Sequence, residues 1–199
     1  MIIGHRAHTV ADWKLDDLCG GAGRLDVLVR CVTTALWKSH SIRRDTDIWL
    51  ILNGPPNPPV TVHFSGEKIR YLNPDERSTA ALIRNGLIKF RNETRTMETS
   101  PGITMERIGL DEVLNKLPNP VLLSENGKDV MNDANTFVLG DDKDPTEEEM
   151  KILKKLLKLL KFLNRLVHRL KKRLDIVCLE TGESDPDIVP CCGDQTDPV

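Results

Sequence analysis

Ile48-Trp49-Leu50-Ile51-Leu52, then Asn53-Gly54-Pro55-Pro56-Asn57-Pro58-Pro59, then Val60-Thr61-Val62-His63-Phe64, is the stretch on which the fold turns. A continuous apolar run of five residues suits a strand buried on both faces. Asparagine, glycine and four prolines then break all regular structure, and Val60 to Phe64 reads as the next strand. The prolines are rigid turn material first and a recognition loop second.

Toward the N-terminus, Leu25, Leu28, Val29, Val32, Ala35 and Leu36 recur at helical spacing, so the pattern predicts a helix from about Gly23 to Ser39. Arg24, Asp26 and Arg30 fall in its first turns, where the Asp26 carboxylate is favoured by the positive helix end. The preceding Gly20-Gly21-Ala22-Gly23 admits two readings. Its backbone could approach an anion closely, or it could be a flexible lead-in to the helix. Farther along, Ile42-Arg43-Arg44-Asp45 adds a second arginine cluster.

Toward the C-terminus, Ile69 to Leu72 reads as a short strand. Asn73-Pro74-Asp75-Glu76-Arg77 reads as a helix start with Asn73 as cap and Pro74 in the first helical position. The helix follows from Ser78 to about Asn92, with Ala81, Leu82, Leu87 and Ile88 among its apolar positions. Ile103 to Ile108, Val121 to Leu123 and Thr136 to Leu139 are strand candidates, and Asp111 to Leu117 a short helix. Strands alternating with helices predict an α/β fold with a mostly parallel sheet and flanking helices. Ligands of such sheets sit beyond the carboxyl ends of strands, which draws attention to Ser124-Glu125-Asn126-Gly127 and Gly140-Asp141-Asp142.

The last third changes character. Leu153, Leu156, Leu160, Leu163, Val167, Leu170 and Leu174 step by three and four, predicting one long amphipathic helix that Pro145-Thr146 and three glutamates begin. Ten of the chain's 28 Lys and Arg lie between Lys151 and Arg173, with no acid among them, so an acidic body carries a basic rod. The expected organisation is a domain over 1–145, a basic helix over 146–175 and a disordered acidic tail over 176–199. The net charge of -2 argues against a generic basic nucleic-acid binder. Five cysteines show no paired zinc spacing, so no metal is expected, and Cys191-Cys192 reads as free thiols before it reads as a metal or redox pair. With no leader-like apolar region and no run of about 18 apolar residues, the expected location is the cytoplasm.

Seven short motifs in one order carry a resemblance: Gly23-Arg24-Leu25-Asp26 with Arg30-Cys31-Val32, Ser39-His40-Ser41-Ile42-Arg43-Arg44-Asp45, Pro56-Asn57-Pro58-Pro59-Val60, Leu72-Asn73-Pro74-Asp75-Glu76-Arg77, Ser100-Pro101-Gly102-Ile103, Asn126-Gly127-Lys128-Asp129-Val130 and Val138-Leu139-Gly140-Asp141. In these, residues from Ala22 to about Asp142 resemble the archaeal TrmY family, tRNA pseudouridine N1-methyltransferases of the SPOUT class. The resemblance implies a SPOUT α/β fold with a trefoil knot, a homodimer, S-adenosyl-L-methionine as methyl donor, and methylation of N1 of pseudouridine 54 in the TΨC loop of tRNA. It points to Asp26 as proton acceptor or base orienter and Arg24 as its catalytic partner. It also points to Arg43, Arg44 and Arg77 as RNA contacts and to Leu123 and Gly140 as cofactor contacts.

Each has a plainer reading. Arg24 and Asp26 can be surface pairs that fix the helix start, and Gly140 a tight turn. Beyond Gly140-Asp141 the chain departs from the family. Asp142 stands where the family usually has His, and the later strand, Ile-Ser-Leu-Gly-Pro loop and final helix have no counterpart, the only later strand candidate being Asp175 to Leu179. The Lys/Leu helix stands in their place. Its leucine stripe can pack on the sheet or a dimer partner and its basic face can meet RNA phosphate, with attachment to an anionic membrane ranked last. The alternative function is therefore an inactive RNA-binding or interaction module of the same ancestry.

Overall fold

A computed structural model describes residues 1–123 and 135–155. The Ser124 to Gly127 segment, the Asn126 to Val130 motif, the Lys/Leu helix past residue 155, the Asp175 to Leu179 candidate, the acidic tail and Cys191-Cys192 lie outside the described residues. So do the segments on which a knot depends.

The described strands are β1 (Ile2–Gly4), β2 (Trp37–Lys38), β3 (Ser41–Ile42), β4 (Asp47–Leu52), β5 (Val60–Ser65), β6 (Met97–Ser100), β7 (Ile103–Glu106), β8 (Pro120–Leu122) and β9 (Thr136–Gly140). The helices are α1 (Leu25–Leu36), α2 (Glu76–Phe90) and α3 (Leu110–Lys116), with a further helix, α4, over 147–155. Seven strands form one mixed sheet in the order β6-β7-β5-β4-β1-β9-β8, and β2 and β3 make a separate hairpin. The expected α/β architecture is present, in two halves. β4, β1, β9 and β8 run parallel, while β5, β7 and β6 alternate in direction.

Side chains alternate across the sheet and so feed two cores. Leu50 and Leu52 face the layer of α1 and α2, where Leu25, Leu28, Val29, Val32 and Leu36 are fully or almost fully buried. Ile3 and Ile51 face the other layer with Val113 and Leu114 of α3 and Leu153 of α4. A fully buried side chain of this size contributes roughly 1.5–3 kcal/mol. α4 thus packs on this second core, as Leu153 is only 1% exposed.

Four local expectations are corrected. Ile69 to Leu72 is not a strand: Ile69 and Leu72 are buried anchors on either side of Tyr71, whose φ of 62° turns the chain. The α2 cap is Asp75, not Asn73, because Asp75 accepts from the Ser78 N–H at 2.7 Å, a bond typically worth about 1 kcal/mol. The buried face of α2 is Thr79, Ala80, Ile83, Gly86, Leu87 and Phe90, which leaves Ile88 53% exposed. Gly86 sets that face, since a Cβ there would lie 2.4 Å from Met105 Cε in the sheet below. α1 ends at Leu36, where the chain enters the β2–β3 hairpin instead of continuing to Ser39.

Candidate functional site

β1 lies between β4 and β9, all three parallel. The chain leaves β1 for β4 by way of α1 and returns on the other side as β9, so their carboxyl ends form a switch-point crevice, the usual place for a ligand in such sheets. His5, Asn53 and Asp141 follow these three strands directly. His5 Nδ1 lies 2.8 Å from Asp141 Oδ1, and its backbone N–H donates to Asp141 Oδ2 at 2.8 Å. On its other side, His5 Nε2 lies 3.0 Å from Glu149 Oε2, and Glu149 Oε1 accepts from Asn53 Nδ2 at 3.3 Å.

Glu149 also starts α4. Its carboxylate accepts from the Thr146 N–H (2.8 Å) while Thr146 Oγ1 accepts from the Glu149 N–H (3.3 Å), a reciprocal capping box. One carboxylate therefore fastens the last described helix to the ends of β1 and β4. Burial acts to lower the His5 pKa, but hydrogen bonds and charge from Asp141 and Glu149 outweigh it and hold His5 above its ordinary value. Burial acts to raise the Asp141 pKa, and the bonds from His5 and the Lys143 N–H bring it below the usual carboxylate range.

Beside this clamp runs a chain of ion pairs. Asp142 Oδ2 accepts from Arg6 Nη2 and, at 3.4 Å, from Arg24 Nη1. Arg24 grips Asp26 with two nitrogens, Nε to Oδ1 at 3.1 Å and Nη2 to Oδ2 at 3.4 Å, and Arg30 Nη2 reaches Asp26 Oδ2 at 2.8 Å. Burial acts to raise the Asp26 pKa, but the Arg24 and Arg30 guanidiniums dominate and keep it depressed. Arg24 caps α1 with φ of 66°, a left-handed conformation that costs a non-glycine residue roughly 1–2 kcal/mol. Strain at such a position points to a side chain held for use.

The glycine segment forms a lead-in to α1, and the N–H groups of Gly20, Ala22 and Gly23 bond within the loop instead of pointing at a ligand. Gly20 donates to Asp17 Oδ1 (2.9 Å), Gly23 to the Gly20 carbonyl (3.2 Å) and Arg24 to the Cys19 carbonyl (3.0 Å). Gly23 is required by geometry: its φ is 67°, and a Cβ would fall 1.9 Å from the Arg6 carbonyl oxygen.

The sequence-derived residues are thus partly gathered. Arg24 and Asp26 meet at the carboxyl edge, and Leu123, directly after β8, and Gly140, at the end of β9, lie on the same edge. Leu123 is 38% exposed, and its N–H donates to the Val138 carbonyl at 3.0 Å. Gly140 packs under the Lys143 carbonyl, which would sit 2.1 Å from any Cβ, so the tight-turn reading has a structural cause. Arg43 and Arg44 precede β4 and so lie toward its amino end. The Arg44 guanidinium donates to the Gly66, Glu67 and Ile69 carbonyls and fixes the turn after β5. An open groove of 1240 Å³ beside α1 is lined by Arg43 and Asp45 as well as Asp141 and Asp142. Arg77 pairs with Asp16, and both are largely exposed. Sequence reasoning missed His5, Arg6, Asn53 and Glu149. Only Glu149 carried a local signal, the Thr-x-x-Glu spacing after Pro145.

Residues 1–163 match the family model described as "Putative SAM-dependent RNA methyltransferase", a wider span than the motifs alone mark. Among curated proteins, the chain is 45% identical over 163 residues to the tRNA (pseudouridine(54)-N(1))-methyltransferase of Methanocorpusculum labreanum, covering 78% of this chain and 82% of that protein. It is 43% identical over 157 residues to the protein of that name from Methanocella arvoryzae, covering 77% and 82%. Among solved structures it is similar to Archaeoglobus fulgidus Nep1 bound to S-adenosylhomocysteine, with TM-score 0.47, 19% identity and coverage of 66% and 58%. The family model spans most of the sequence and the relatives exceed 40% identity, so the chain belongs to this family of S-adenosylmethionine-dependent RNA methyltransferases.

Proposed function

We propose that the protein methylates N1 of pseudouridine 54 in the TΨC loop of tRNA, with the reaction centred on Asp26 and Arg24. The observation that carries the assignment of residues is the bidentate Arg24–Asp26 pair, tied through Asp142 to the turn that follows β9. Relatives that carry the name of this activity share more than two fifths of the aligned residues.

S-adenosylmethionine, when bound, supplies an electrophilic methyl group on a sulfonium. The chemistry of the carboxyl edge fits it: Leu123 offers exposed apolar surface for an adenine, and Asp142, whose Oδ2 takes Arg6 and Arg24, keeps Oδ1 without a donor among the described residues. Leu123 and the Gly140 turn are the proposed donor contacts.

Asp26 is a weak base, because two guanidiniums hold its carboxyl low. It therefore orients the pyrimidine by accepting a hydrogen bond from N1–H, and takes the proton only when bond formation at nitrogen has made that proton strongly acidic. Oδ1 suits this task, since it accepts one protein donor while Oδ2 accepts two. Arg24 places positive charge where a ring carbonyl gathers negative charge. Arg43, Arg44 and Arg77 serve as outlying phosphate contacts, and for Arg44 only the donors not spent on the Gly66 turn are available.

Homodimerisation and a cytoplasmic location complete the proposal. Phe137, 39% exposed on the wall of the groove beside α1, supports an apolar association. Among the described residues no helix is long and apolar enough to cross a membrane.

Asp26→Asn keeps the shape and removes the charge. Single-turnover methyl transfer to a pseudouridine-containing tRNA transcript should fall about 100-fold. Calorimetric affinity for S-adenosylhomocysteine should stay within about twofold, because no proposed donor contact is altered. An unchanged transfer rate would remove Asp26 from the reaction. A wild-type chain that binds tRNA but no S-adenosylhomocysteine would establish the interaction-module alternative.

A further inference from the structure

The carboxyl edge continues past the reaction centre. β4 and β5 are antiparallel, as are β5 and β7, so β7 ends on the same side of the sheet as β4 and β1. Beyond β7 and α2 lies a second cleft, of 570 Å³, lined by Pro56, Asn57, Pro58 and Pro59 on one side and by Arg91, Asn92, Glu93, Thr94 and Arg107 on the other.

Arg107 is built into this cleft. Its Nε donates to the Glu93 carbonyl at 2.9 Å, its Nη2 donates to the Arg91 carbonyl at 3.2 Å, and its guanidinium lies 5.3 Å from the centroid of the Phe90 ring. Two of its five N–H donors are so used, and three have no partner among the described residues. Arg91 is exposed, and its side chain makes no ion pair among the described residues. The opposite wall is held by buried Thr9, whose N–H donates to the Pro55 carbonyl (3.0 Å) and whose hydroxyl accepts from the Asn57 N–H (3.0 Å).

We infer that this cleft binds the phosphodiester backbone of the RNA substrate a few nucleotides from the methylated base. The inference rests on the RNA-methyltransferase reading. Three strand spacings separate β7 from β1, roughly 14 Å along the edge, which a short run of RNA spans. A fixed guanidinium fork with a second arginine beside it matches a phosphate and needs little ordering when it binds. An extended acidic peptide fits worse. It needs alternating backbone donors and acceptors from the wall, and the prolines offer no N–H.

The test is the affinity of a tRNA transcript for the full chain, read by fluorescence anisotropy with S-adenosylhomocysteine present, for wild type and Arg91→Glu. The expected result is a Kd raised about tenfold and a salt slope reduced by about one contact. Affinity for S-adenosylhomocysteine is expected to remain unchanged. Arg107→Lys, which keeps the charge and loses the fork, should weaken binding in the same direction. A Kd for Arg91→Glu within twofold of wild type, with the fold intact by circular dichroism, overturns the inference. Failure of the methyltransferase reading is seen separately, as a wild-type chain that binds tRNA and transfers no methyl group.

Discussion

The two halves of the sheet place their charged groups differently. In the antiparallel half, partners are close in sequence: Lys116 and Glu106 are 10 residues apart, and His63 and Asp47 are 16 apart. At the carboxyl edge of the parallel half, His5 meets Asp141 across 136 residues and Glu149 across 144. Parallel strands require crossovers, so their ends gather segments from opposite ends of the chain. The lesson is that the candidate site sits where remote segments close on one another, while the antiparallel half supplies a rigid wall and local pairs.

The sharpest way to break this contrast is Asp141→Ala. The Asp141 side chain is 1% exposed and bonds both the ring and the backbone N–H of His5. Its removal leaves a buried imidazole with Glu149 alone and frees the ends of β1 and β9. The expected cost is about 3 kcal/mol of unfolding free energy, measured by urea titration. A loss below about 1 kcal/mol would show that the clamp is a surface pair in effect and that the two halves do not differ.

The pH dependence of stability follows from the same clamp. His5 has a folded pKa above its ordinary 6.5, so its contribution is fully present below that value and is lost as pH rises through the folded pKa. Asp141 is depressed below 3.8, so its contribution is present above that value and is lost as pH falls through its folded pKa. The Met1 amino group, lowered by burial to about 6, acts in the opposite sense over part of the same range, so the informative quantity is the difference between wild type and His5→Gln. That difference in thermal stability should be constant between 3.8 and 6.5 and shrink as pH rises through the folded His5 pKa; a difference that does not change with pH would assign the His5 contribution to packing.

The same contrast explains what was legible in the sequence. Ile48 to Leu52, Val60 to Phe64 and the Leu25 to Leu36 stripe announce themselves because each is a periodic or continuous apolar pattern. The Arg24–Asp26 pair was legible because the two residues are two apart at a helix start beside glycines. β1, the centre of the parallel half, was not legible: Ile2-Ile3-Gly4 is too short to show a period, and its importance comes from two neighbours over 40 residues away. His5 was invisible for the same reason. The α2 face was misread because Gly86 and Thr79 look polar or neutral in sequence and are buried by close helix-sheet contact.

The smallest expected effect is the control in the antiparallel half. Glu106, at the end of β7, accepts from Lys116 Nζ at 2.5 Å, with side-chain exposures of 14% for the acid and 44% for the amine. Water solvates the lysine whether or not the pair forms, so the Coulomb gain is offset by the entropy of holding a long side chain. Glu106→Ala should cost no more than about 0.5 kcal/mol in the same urea titration, since Lys116 is left in water and not in a buried site. It should leave methyl transfer unchanged, because Glu106 precedes Arg107 but touches neither the cleft nor the Arg24–Asp26 pair. If Glu106→Ala cost as much as Asp141→Ala, stability would not distinguish local pairs from those that join remote segments, and the contrast between the halves would fail.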